Sequence, residues 1–327
     1  MNKKFLSIFS IITLLLLAAC GNKEQMNERV EAEGNEDLIS VYTTVYPPGA
    51  DEHTFDPTQK DMMALADSDL FFYIGLGLEG FVENAEKTMK GEHVKMIAVA
   101  DNIPEESLGE GHDHDHGEEG HESDGHDEEE HESHEQDLEE NDSHDHDDHE
   151  HSEFDPHVWI SPLLSIELAT VIKDSLIEAS PEKKDMFKEN FEGLKEDLLA
   201  LDLKFKDMAS NATTKTFFVS HAAFGYIADS YGLEQVAVAG LNSQSEPSQK
   251  ELAALVKYAK AHEVKYVLFE QNVSSKLTDV IRKEIGANSL MLHNLGVLTS
   301  EDVENKADYL SLMEYNIATL AEALGNK

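Results

Sequence analysis

The chain of 327 residues carries 25 Lys and Arg against 67 Asp and Glu, a formal net charge of −42. That balance excludes a nucleic-acid partner, because phosphate contacts need a basic surface. The length allows two domains at roughly 150 residues each, and a hydrophobic fraction of 40% is enough to give each a core. The acidity is local: Glu110–Glu153 hold 22 acids and no Lys or Arg, and the remainder reads as an ordinary, moderately acidic globular protein.

Residues 1–20 read as an export signal, with Lys3 and Lys4 as the positive region, Phe5–Leu17 as the apolar region and Ala18-Ala19 before Cys20. The apolar run is short for a permanent span. Cys20 is the only cysteine, which excludes an intramolecular disulfide. Leu17-Ala-Ala-Cys20 resembles a bacterial lipobox, so Cys20 is the expected lipidation site and anchors the protein on the extracytoplasmic face of the cell membrane. The alternative is a plain secretory signal with an incidental thiol. Residues 21–38, polar and charged, read as a flexible tether.

Short β-rich runs then alternate with helical periodicity. Strands are predicted at Ile39–Val45, Leu70–Ile74 and Val94–Ile97, with helices near Lys60–Ala66 and Leu78–Met89. Leu76-Gly-Leu-Glu-Gly80 is glycine-rich but lacks a Walker lysine and is assigned no phosphate role. Pro162–Glu178 and Pro181–Met208 read as helices, the second long enough, at roughly 40 Å, to join two lobes stiffly. Strands follow at Thr216–Val219, Gln235–Ala239, Tyr266–Phe269 and Ser289–Leu292, with helices near Ala222–Tyr231, Gln249–His262, Ser275–Ile285 and Asn305–Leu324. Repeated β-α order implies parallel sheets with helical cover. The predicted fold is α/β with two lobes: residues 39–180, interrupted by the acidic stretch 110–153, a linking helix at 181–211, and a second lobe at 212–327.

Of the 17 histidines, 11 lie in the acidic stretch: His112, His114, His116, His121, His126, His131, His134, His144, His146, His149 and His151. A run such as Gly111-His-Asp-His-Asp-His116 cannot bury apolar surface, so disorder is expected there. Neutral imidazoles are good ligands for zinc, copper and nickel, and neighbouring carboxylates concentrate cations, so this segment is predicted to bind several ions weakly as an auxiliary site. The remaining six are His53, His93, His157, His221, His262 and His293. Three of them occupy sharper contexts. His53 lies in the turn-forming Pro48-Gly-Ala-Asp-Glu-His-Thr-Phe-Asp-Pro57, and His157 lies in Phe154-Asp-Pro-His-Val-Trp-Ile-Ser-Pro162, just before a helix. His221 follows the strand Phe217-Phe-Val-Ser220, at the carboxyl end where ligands of parallel sheets gather.

Pro48-Gly-Ala-Asp-Glu-His53 with Asp56-Pro57, Asp155-Pro-His-Val-Trp159, Ser220-His-Ala-Ala-Phe-Gly-Tyr226 and Glu246-Pro-Ser248 together resemble one family. It is the zinc-type substrate-binding lipoproteins of bacterial ABC importers, the cluster A-I or metal-binding group, which includes adhesin-like zinc-binding proteins. The resemblance runs from about residue 40 to the C-terminus and also accounts for the histidine-rich insertion before His157. It implies that His53, His157 and His221 each donate one nitrogen to a Zn2+ ion between the lobes, consistent with zinc's preference for four-coordinate sites. Some members add a glutamate from the last βα loop, where this chain has Gly296 in Leu292-His-Asn-Leu-Gly-Val297. Glu52 or a water is the expected fourth ligand instead, with His293 a weaker substitute. Glu270, at the end of a strand, either lines the cleft or caps a helix. Trp159 is expected in the core or over the metal loop.

The implied function is capture of extracytoplasmic Zn2+ by a monomer, without enzymatic turnover, for delivery to an ABC permease and its ATPase. Manganese or iron capture is the alternative within the fold, although three nitrogen ligands favour zinc. A zinc hydrolase using Glu52 as general base and a surface zinc buffer or adhesin are readings of other classes. One departure from the family stands out. Tyr46-Pro47 runs straight into Pro48-Gly49 where members carry a helix and another strand, and a parallel crossover needs roughly a dozen residues. The first lobe is therefore expected to be shortened.

Overall fold

The computed structural model describes residues 44–109, 154–271 and 275–326. The predicted signal, Cys20, the tether, most of the strand expected at Ile39–Val45 and all eleven clustered histidines lie outside the described residues.

Two parallel sheets organise the described chain. The larger has the order β4-β3-β5-β6, built from β3 (Thr216–His221), β4 (Glu234–Ala239), β5 (Tyr266–Phe269) and β6 (Asn288–Met291). In β3 the run Phe217-Phe218-Val219 is buried throughout, as expected of a strand covered on both faces. The chain leaves β3 through α5 (Gly225–Tyr231) to pair β4 on one side, whereas β5 pairs on the other. The carboxyl ends of β3 and β5 thus flank a topological switch point, where the connections diverge and a crevice forms. His221 ends β3 and Glu270 follows β5. The smaller sheet pairs β1 (Leu70–Tyr73) with β2 (Lys95–Ala98) and is two-stranded among the described residues. α1 (Gln59–Ala66) precedes β1, and α2 (Val82–Met89) forms the crossover between β1 and β2.

Two long helices connect the sheets in sequence. Ser161 caps α3 (Pro162–Ala179) by accepting from Leu164 N, and Pro162 takes the first helical position, where no backbone donor is needed. After a short turn, α4 (Lys184–Asn211) runs 28 residues to the start of β3, matching the predicted linking helix apart from its first turn. The main apolar core spans both sheets. Phe72, Ile74 and Val99 from the first join Trp159, Leu168, Leu198, Phe205, Phe224, Leu268 and Tyr309 in one cluster, with smaller cores on either side.

Three other predicted helices start later than expected, the one near Leu78–Met89 at Val82. The helix expected at Ala222–Tyr231 begins at Gly225, because Ala222 N donates to Gly240 O and Phe224 N to Oε1 of Gln235. The helix expected at Asn305–Leu324 starts only at Tyr309, as α9 (Tyr309–Ala323), and a separate short helix, α8 (Ser300–Glu304), precedes the expected range. Each starts with a capping box, Thr299 with Asp302 and Asp308 with Ser311, and Lys306 between them adopts a positive φ of 53°. The remaining helices, α6 (Gln249–Ala261) and α7 (Lys276–Ile285), fall within a residue of their expected limits. The Pro47-Pro48 junction is tied down: Tyr46 is 3% exposed with its ring 5.0 Å from Phe55, and Gly49 N donates to Leu298 O at 2.9 Å.

The glycine-rich segment after β1 is a loop with positive φ at Gly75, Leu76 and Gly77, closed by the buried Glu79 carboxylate, which accepts from Ile74 N and Gly75 N. Burial outweighs those two donors and pushes the Glu79 carboxyl from 4.5 up to about 7. The folded state therefore keeps a proton that the unfolded chain has released. Its contribution to stability is full below pH 4.5 and is lost as pH rises through about 7. Metal-free protein should accordingly lose more melting temperature between pH 5 and 8 than the Glu79→Gln variant does. Parallel pH profiles for the two proteins would contradict this.

Candidate metal centre

Three separate loops bring His53, His157 and His221 together. In the first, Asp51 organises a tight turn: its Oδ1 accepts from His53 N at 2.9 Å and its main-chain oxygen accepts from Phe55 N at 3.0 Å. Oδ2 of the same residue accepts from Ser243 Oγ at 2.8 Å, fixing the turn to the loop that follows β4. The segment that carries His53 is thereby held by the larger sheet.

The second loop uses the spacing Asp155-Pro-His157. Oδ1 of Asp155 accepts from both His157 N (2.9 Å) and His157 Nδ1 (2.7 Å), so one carboxylate sets both backbone and ring. Asp155 is itself held by its N–H on Gly109 O and by Tyr226 Oη donating to its carbonyl at 2.7 Å. A Cβ at Gly225 would sit 3.0 Å from Asp155 Oδ2, so glycine is required where α5 starts beneath this carboxylate. Trp159 is buried, donates Nε1 to Asn294 O at 2.8 Å and lies 5.3 Å from the His157 ring, so it serves both core and metal loop.

In the third, His221 Nδ1 lies 2.7 Å from Oε2 of Glu270, a close ionic contact though too bent for a well-aligned hydrogen bond. Glu270 Oε1 accepts from Ser220 Oγ and from His221 N at 3.2 Å. Glu270 thus lines the cleft as an orienting carboxylate, and the helix-capping alternative does not apply.

With Nδ1 of His157 and His221 facing carboxylates, both rings turn Nε2 inward. His157 Nε2 is 3.2 Å from His53 Nε2 and 3.3 Å from His221 Nε2, and all three nitrogens lie within 4.8 Å of one another, the one group of this kind among the described residues. Glu52 is outside this group; its carboxylate accepts from Asn294 Nδ2 at 3.1 Å and is pushed up to about 7, chiefly by burial. It occupies the space of the absent side chain at Gly296, where a Cβ would meet Glu52 Oε1 at 2.5 Å. His293 does not join either. Its Nε2 faces Asp302 at 3.0 Å and its Nδ1 accepts from Leu295 N at 2.9 Å, which engages both ring nitrogens.

The sequence profile described as "ZnuA: Zinc-uptake complex component A periplasmic" matches residues 35–323. The chain belongs to this zinc-uptake family. The zinc-binding lipoprotein AdcA of Streptococcus pneumoniae is 33% identical over 340 residues, covering 98% of this chain and 61% of AdcA. This chain therefore spans less than two thirds of such streptococcal relatives. The high-affinity zinc uptake system protein ZnuA of Bacillus subtilis is 34% identical over 345 residues, covering 99% of each chain. Among solved structures, the Zn(II)-bound ZnuA-like domain of S. pneumoniae AdcA matches with a TM-score of 0.64 and 30% identity, over 87% of this chain and 91% of that one. The zinc-uptake family's α/β fold, with parallel sheets and helical cover, is the one predicted.

Protonation of this triad follows from its surroundings. Burial and the two neighbouring imidazoles hold His53 down at about 2. Burial pulls His221 down as well, but the carboxylates of Glu270, Glu52 and Asp51 outweigh it and raise it above 6.5. A metal ion must displace that proton, so zinc affinity should begin to fall on the alkaline side of pH 6.5 and weaken steadily as the solution is acidified. Constant affinity in competition titrations from pH 8 to 5 would rule out imidazole ligation.

Proposed function

We propose that this protein captures extracytoplasmic Zn2+ at His53, His157 and His221 and hands the unchanged ion to the permease and ATPase of an ABC importer. In this reading it acts as a monomer and is held at the membrane by a lipid on Cys20. The observation that carries the proposal is the triangle of Nε2 atoms. With Nδ1 of each on a carboxylate, His157 and His221 turn Nε2 toward each other and toward His53, a donor set that a cation replacing the His221 proton would complete. Zinc is the expected cargo because borderline-soft imidazole donors suit it, whereas manganese favours carboxylate oxygens. The fourth position is open to water, or to Glu52 if its carboxylate leaves Asn294. None of the described helices is long and apolar enough to cross a membrane.

Replacing any one of the three histidines by Ala should weaken zinc binding by more than about 100-fold, beyond the 10–100-fold typical of residues behind a ligand. Isothermal titration or chelator competition reads this directly, and near-wild-type affinity in all three variants would refute the assignment. Deleting residues 110–153 should abolish weak extra zinc equivalents and leave one tight equivalent, with slower growth only when zinc is scarce. A deletion that removes the tight equivalent would make the acidic stretch part of the main site.

A further inference from the structure

Asn294, in the loop after β6, is 0% exposed and each of its polar groups is engaged. Its Nδ2 donates to Glu52 Oε1 at 3.1 Å and to Glu270 Oε2 at 3.2 Å. Its Oδ1 accepts from Gln271 Nε2 at 2.8 Å and from Gly296 N at 3.1 Å. Its main-chain oxygen accepts from Trp159 Nε1 at 2.8 Å, and its N–H donates to Gln271 Oε1 at 3.2 Å.

The orientation of the amide follows from chemistry. Turned the other way, Oδ1 would face two carboxylates and Nδ2 would face the Gly296 N–H, so four interactions would become repulsive or lose a partner. Three of the groups that Asn294 holds lead to different histidines. Glu52 is the neighbour of His53, Glu270 orients His221, and Trp159 lies two residues beyond His157 with its ring against the imidazole.

We infer that Asn294 is the positioning residue of the metal centre: its amide sets the His53 and His221 segments and its main-chain oxygen holds the His157 segment, without touching the ion. The inference rests on the zinc-binding function proposed above. An amide suits this place because it donates two hydrogen bonds while adding no charge. Buried carboxylates that lose such donors lose the interactions that fix their direction, and the His221 imidazole on Glu270 then turns more freely. Gly296 belongs to the same device: with no side chain there, the Glu52 carboxylate reaches the amide.

Asn294→Ala should weaken zinc binding by about 10–100-fold, the range found when a group behind a metal ligand is removed. Cobalt(II) loaded into the same protein supplies a readout that simple loss of stability does not move, since its visible absorption reports ligand number and geometry. The Asn294→Ala spectrum should differ from wild type in band shape. Asn316→Ala is the comparison, because Asn316 holds the same loop through the backbone N–H and carbonyl of His293, at 2.7 Å each, and contacts neither carboxylate. It should lower the melting temperature yet keep the wild-type cobalt spectrum and affinity. If Asn294→Ala does not fold, Gln271→Ala, which frees the amide to turn, should give a smaller change in the same direction. Wild-type spectra and affinity in the Asn294 and Gln271 variants, or equal changes in Asn316→Ala, would overturn the inference. A wild-type protein that binds neither zinc nor cobalt would instead remove the function on which it rests.

Discussion

Two carboxylate contacts inside the protein, Asp155 on His157 Nδ1 and Glu270 on His221 Nδ1, determine what the cleft can do. Each fixes a ring by the nitrogen facing away from the cleft, and each turns the opposite nitrogen inward. With His53 the result is three nitrogens crowded at 3.2 and 3.3 Å, a geometry that neutral imidazoles cannot satisfy by hydrogen bonding to one another alone. A buried polar arrangement of this kind costs folding energy unless something completes it. In the proposed reading, a cation replaces the proton on His221 and completes this arrangement.

The fold supplies those contacts from its topology. His221 and Glu270 are neighbours because β3 and β5 are adjacent parallel strands whose connections leave in opposite directions. Asp155 reaches His157 because α5 begins with a glycine beneath it, and the His53 turn is held across the cleft by Ser243, by Leu298 and, through Glu52, by Asn294. Attachment to the larger sheet also fixes His53 just after the Pro47-Pro48 junction. The same segment also packs on its own half of the chain, where Tyr46, Ala50 and Phe55 join Phe71, Tyr73 and Phe81 in one apolar cluster.

Much of this was legible in the sequence. The β-α alternation, the 28-residue linking helix and the three histidines in turn or strand-end contexts follow from periodicity, turn chemistry and a specific family resemblance. Less legible were features that depend on pairing between distant segments. The first turn of the helix expected at Ala222 is claimed by bonds to Gly240 and Gln235, which no local pattern announces. The late start of α9 did have a local signal, since Asp308-x-x-Ser311 is a capping box inside the apparent helix. Asp155 stood in a quoted motif without a role, and its position two residues before His157 is the spacing by which an aspartate bonds the backbone ahead of it. Asn294 carried no such signal, because its importance lies in partners from residues 52, 159 and 270.

The central claim is that three imidazole nitrogens hold the transported ion. X-ray absorption at the zinc edge, on protein loaded with one equivalent, tests it most directly. The account predicts a shell of three imidazole nitrogens at about 2.0–2.1 Å, with a single further oxygen scatterer at most. A shell made mainly of oxygen, or fewer than three imidazoles, would contradict it.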